Sequence, residues 1–96
     1  MSVELKLITR LLSRVRRRRG HVAYTSASSG NRRAVVKGWF DLDAGTMNGF
    51  TAYVDTWEKS TFRWTILRQA FGATAEEALM NLEDDMKREE GRCNTN

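Results

Sequence analysis

The sequence predicts an α+β domain of order α-β-β-β-β-α, an antiparallel meander sheet with two helices packed on one face. Three observations carry this reading. Apolar residues recur at helical spacing near both ends of the 96-residue chain. Between them, four segments shift toward a period of two, with Gly, Asn, Asp and Ser in the connections. Those connections are short, so neighbouring segments pair most simply as antiparallel strands.

Residues 3–18 form the first expected helix. Leu5, Ile8, Leu12 and Val15 make its apolar stripe, and Leu7 and Leu11 widen it. Ser2 is suited to the N-cap, and Gly20 lies just past the end, where a left-handed residue is favoured. Arg14, Arg16, Arg17, Arg18 and Arg19 crowd the last turn, where cations complement the helix dipole.

The first strand is short, over residues 22–27, and Ser28-Ser29-Gly30-Asn31 turns the chain. Residues 33–42 alternate clearly. Ala34, Val36, Gly38, Phe40 and Leu42 share one face; Arg33, Val35, Lys37, Trp39 and Asp41 share the other. Asn48-Gly49 reads as a type I′ hairpin turn. The third strand, 50–57, sets Phe50, Ala52 and Val54 against Thr51, Tyr53 and Asp55. The fourth, 62–71, groups Phe62, Trp64 and Ile66 on the face expected to meet the helices. Thr74-Ala75-Glu76-Glu77 is a capping box, and Ala75, Ala78, Leu79, Leu82 and Met86 form the stripe of a second helix ending near Gly91. One domain over residues 1–91 with a flexible tail over 92–96 is expected.

Composition narrows the function classes. The formal net charge of +4 is polarised: residues 1–49 carry +7 and residues 50–96 carry −3. A basic half invites an anionic partner. No apolar run approaches the ~20 residues of a membrane span, and the charged N-terminus has no uninterrupted apolar core, so it does not read as a secretory signal. The single cysteine, Cys93, allows no internal disulfide and suits a reducing compartment, so a cytoplasmic setting is expected.

Catalytic chemistry finds little support. His21 is the only histidine, so neither a Cys–His pair nor a zinc cluster with the usual ligand number is expected. Asp41, Asp43, Asp55 and Glu58 would suit a divalent ion if gathered, but their scatter reads as turn residues and solvated strand charges. The seven glycines are spread among turns, with no phosphate loop. The expectation is a protein that is not an enzyme and holds no metal or cofactor.

Two features point to binding. Five arginines within residues 14–19 repel one another, and an external anion such as nucleic-acid phosphate would relieve that repulsion. The competing account is a solvated helix end paired with Glu76, Glu77, Glu83, Asp84 and Asp85 of the second helix. The second feature is the outer sheet face, where Arg33, Lys37, Trp39, Tyr53, Arg63 and Thr65 are expected together. Basic residues among aromatics on an open sheet suit single-stranded nucleic acid, and also a protein hot spot.

The helix–strands–helix layout resembles that of double-stranded RNA-binding domains, which place lysines at the start of the second helix. This chain has Thr74-Ala75-Glu76-Glu77 there, and those carboxylates would repel a duplex backbone, so the resemblance is one of layout. Residues 71–79, Phe-Gly-Ala-Thr-Ala-Glu-Glu-Ala-Leu, are similar to the strand-to-helix junction of HicB-type antitoxins over nine residues of mostly capping chemistry.

The sequence therefore leads to a small binding protein that contacts nucleic acid, DNA or RNA, through Arg14, Arg16, Arg17, Arg18, Arg19, Arg33, Lys37, Trp39, Tyr53 and Arg63. The rival is a protein-binding modulator of the phage or mobile-element type that inhibits host machinery. A membrane-surface role for the first helix is weaker, because its apolar stripe is needed to cover the sheet.

Overall fold

Six elements follow the expected order: α1 (Val3–Arg17), β1 (Tyr24–Ser29), β2 (Arg32–Asp41), β3 (Thr46–Glu58), β4 (Arg63–Gly72) and α2 (Ala75–Asn94). The computed structural model describes residues 2–19 and 22–94, without the side chains of Phe40, Asp41, Met47 and 91–94. Gly20, His21 and the Cys93 side chain thus lie outside the described residues.

The strands pair antiparallel in sequence order, β1-β2-β3-β4. Helix α1 packs on β1 and β2, and α2 on β3 and β4. The covered face of the sheet is lined by small side chains: Ala27, Ala34, Val36, Ala52, Val54 and Ala70. Leu7, Ile8, Leu11 and Val15 of α1 and Ala78, Leu79 and Leu82 of α2 close over them, all essentially inaccessible. The α1 stripe is therefore committed to the core and not offered to a lipid surface. No helix among the described residues is long and apolar enough to cross a membrane.

Small residues let the helices approach closely. A Cβ added at Gly72 would lie 2.5 Å from the backbone nitrogen of Ala78, so α2 sits directly on the end of β4. The capping residues act as the sequence suggests. Leu5 N donates to Ser2 Oγ (3.2 Å), and Glu77 N donates to Thr74 Oγ1 (3.1 Å). Helix α2 runs on past Gly91, where the sequence places its end.

Arg19, directly following the C-cap Arg18, is left-handed (φ 54°). Two local readings are corrected. The β2–β3 turn falls on Leu42, Asp43, Ala44 and Gly45, with Asp41 paired to Thr46. Asn48-Gly49 lies inside β3, at a bulge where the register slips between Trp39 and Phe40. Gly45 (φ 67°) supplies the left-handed turn geometry that Asn48-Gly49 was expected to provide.

The second correction matters most. A second bulge between Val54 and Asp55 leaves Leu67 as an extra residue, with Val54 opposite Arg68 and Asp55 opposite Ile66. One inserted residue exchanges the faces of everything beyond it. Trp64 and Ile66 are thus on the open face, while Arg63 and Thr65 turn to the helix side. Phe62 belongs to the turn, exposed and in left-handed conformation (φ 53°).

Candidate nucleic-acid interface

Cross-strand register orders the open face into rows. Tyr24, Lys37, Thr51 and Phe71 form one row, with Trp39 beyond it. Next come Ser26, Val35, Tyr53 and Gln69, and then Ser28, Arg33, Asp55 and Ile66. Trp57 and Trp64 close the far end. Of the expected site residues, Arg33, Lys37, Trp39 and Tyr53 share this face. Arg63 does not, because of the Val54/Asp55 bulge.

At the far end the cation is internally neutralised. Arg33 Nε and Nη2 donate to the two carboxylate oxygens of Asp55 at 3.2 and 2.6 Å, a bidentate pair. The Asp55 side chain is 2% exposed and that of Arg33 is 28% exposed. The guanidinium lies 4.3 Å from the Trp64 ring centroid, and Trp64 meets Trp57 edge-on at 5.6 Å. Hydrogen bonding to Asp55 holds the Arg33 pKa above its ordinary value, with burial opposing and the carboxylate charge assisting. Asp55, expected as a solvated strand charge, is instead the most buried ionisable group on the face. Its partner across the β2–β3 register is the signal that could have identified it.

The near end is different. Tyr24, Trp39 and Phe71 are more than half exposed, at 59%, 53% and 59%. Lys37 Nζ sits 5.7 Å from the Trp39 ring centroid and 5.5 Å from that of Tyr53. No carboxylate pairs with it among the described residues. Trp39 Nε1 donates to the buried Thr51 hydroxyl, which fixes the indole on the sheet. Burial pushes the Tyr53 phenol above its ordinary pKa, with the Arg33 charge opposing.

The arginines of α1 divide into three groups. Arg16 leaves the open side and pairs with Glu76 of α2 at 3.1 Å, both exposed. Arg14 reaches across the sheet edge, donating to the Ser26 carbonyl at 2.6 Å and to Thr25 Oγ1 at 3.3 Å. Because Gly38 N donates to Ala23 O, antiparallel alternation turns the Ser26 backbone toward the free edge of β1, so Arg14 caps that edge. Arg17, Arg18 and Arg19 are exposed and have no carboxylate partner among the described residues.

Several other carboxylates of α2 are engaged elsewhere. Arg68 pairs with Glu89, Lys87 with Glu83, Arg88 with Asp85, and Glu90 accepts from Ser2 N. Arg14, Arg17 and Arg18 line a groove of ≈ 470 Å³ together with Val22, Tyr24 and Thr25. Tyr24 belongs both to this groove and to the near end of the open face. It joins two features that the sequence presented as separate. No group of His, Cys, Asp and Glu among the described residues is arranged to hold a metal ion.

No family model, curated protein or solved structure matches this chain.

Proposed function

We propose that this protein binds single-stranded nucleic acid across the near end of its open sheet face. The observation that carries the reading is continuity. Cations without carboxylate partners among the described residues, at the end of α1, run through Tyr24 into exposed aromatics around Lys37. Splayed bases stack on Tyr24, Trp39 and Phe71, while Arg17, Arg18 and Lys37 neutralise phosphates. Stacked duplex bases offer no such ring faces, which favours a single strand. Stacking of this kind is tolerant of base identity. The role is binding and not catalysis: Asp55, the buried carboxylate of the face among the described residues, is tied to Arg33 on both oxygens.

Salt dependence tests the reading. Affinity for an oligothymidine should fall steeply as salt rises, and replacing Arg17 and Arg18 with alanine should flatten the log–log slope by roughly 1.4. An unchanged slope would mean that these arginines touch no phosphate.

A second reading, a protein-binding modulator, has one observation of its own. Ile66 and Leu67 stand about half exposed beside the ion-paired end, with Phe62 exposed in the adjoining turn. This patch suits an apolar protein contact better than a phosphate chain. Ile66→Asp separates the two readings: it abolishes a protein contact there and leaves oligothymidine affinity intact.

A further inference from the structure

We infer that the groove between the last turn of α1 and the edge of β1 is a site for a phosphate monoester, with a nucleoside base stacked on Tyr24. The inference deepens the single-strand reading where the phosphate is a strand end, but the groove itself does not depend on that reading. Three guanidinium groups line one concave surface, none of them with a carboxylate partner among the described residues. Arg14 is already anchored by Ser26 O and Thr25 Oγ1, so its position on the groove wall is fixed before a ligand arrives. A fixed planar fork beside two free ones fits the three terminal oxygens of a monoester, which hydrogen-bond in charge-assisted pairs. A phosphodiester carries one charge and two free oxygens; a monoester carries nearly two charges at pH 7 and three. The convergence of three cations thus favours the monoester.

Size and polarity agree. A groove of ≈ 470 Å³ is within the range of small-ligand sites. Val22 is buried in its floor, and the exposed Tyr24 ring offers one aromatic wall for a base. Glu76 pairs with Arg16, and no acidic residue lines the groove among the described residues. Two sources supply this chemistry: the 5′-phosphate of a strand laid along the open face, or a free mononucleotide.

Calorimetric titration at fixed ionic strength distinguishes them, using thymidine, thymidine 5′-monophosphate, and hexathymidine with a 5′-phosphate or a 5′-hydroxyl. Thymidine 5′-monophosphate should bind where thymidine does not. The exposed double variant Arg17→Ala/Arg18→Ala should weaken it by about tenfold or more. Tyr24→Phe should retain binding, and Tyr24→Ala should lose part of it. A strand-end source predicts that 5′-phosphorylated hexathymidine binds about tenfold more tightly than the hydroxyl form, with the advantage lost in the arginine variant. If the monophosphate binds and the 5′-phosphate brings no advantage, the ligand is the free nucleotide. If the monophosphate binds and hexathymidine does not, the groove stands and the strand reading fails. If hexathymidine binds but neither phosphate monoester changes affinity, the groove assignment is overturned and the open-face reading remains.

Discussion

The two ends of the open sheet face are built from the same residue types and behave oppositely. At one end Arg33 stacks on Trp64, and at the other Lys37 lies near Trp39 and Tyr53. Arg33 has a buried carboxylate of its own, Asp55; Lys37 has none among the described residues. A cation beside an aromatic ring is therefore not by itself a binding signal. Whether the protein already supplies the counter-charge decides whether the pair holds the fold or meets a ligand. The same rule sorts the α1 arginines: Arg16 is matched by Glu76, and Arg17 and Arg18 have no such match among the described residues.

The contrast predicts a graded set of stability effects, measured by thermal or denaturant unfolding. The largest belongs to Arg33→Ala, which leaves the buried Asp55 carboxylate without its partner. It should cost about 3–5 kcal/mol, enough to unfold a marginal domain at physiological temperature. Near-parent stability in that variant would collapse the distinction between the two ends. Trp64→Ala removes the cation–π and edge-on aromatic contacts and should cost about 2–3 kcal/mol. Trp39→Ala, on the other end, loses an indole already half in solvent and leaves the Thr51 hydroxyl without its donor. Its cost should be only about 1 kcal/mol. Lys37→Gln should change stability by less than about 0.5 kcal/mol. It should nevertheless reduce the salt slope of oligothymidine binding by roughly 0.7.

Much of the fold is legible in the sequence because it rests on periodicity. The stripes Leu5/Ile8/Leu12/Val15 and Ala75/Ala78/Leu79/Leu82 are buried as their spacing predicts, and Ser2 and Thr74 cap as their chemistry predicts. The faces of β2 and β3 follow from alternation in the same way. Residues 63–66 of β4 do not, since Phe62, Trp64 and Ile66 alternate equally well whichever face they occupy. The slip at Val54/Asp55 is set by pairing with β3, which residues 62–71 do not encode alone. The local signal of Asn48-Gly49 misleads for a related reason. A strong local turn signal was absorbed as a bulge once Leu42 to Gly45 had turned the chain.

Of the candidate site, the residue types were visible and their partners were not. Five clustered arginines do not reveal that Arg16 faces α2, that Arg14 closes the β1 edge, or that Arg17 and Arg18 share a groove with Tyr24. Those outcomes depend on where α1 crosses the sheet. Asp55 looked like a surface charge because its strand position is outward, yet the outward position opposite Arg33 is covered.

The most direct test of the central claim, that the end without an internal counter-charge among the described residues is the binding end, is the affinity of Trp39→Ala for oligothymidine at fixed salt. Stacking on the exposed indole predicts a loss of about 1–3 kcal/mol, roughly 5- to 150-fold, with little dependence on base identity and a melting temperature within several degrees of the parent. Parent-like affinity in a folded Trp39→Ala protein would contradict the account.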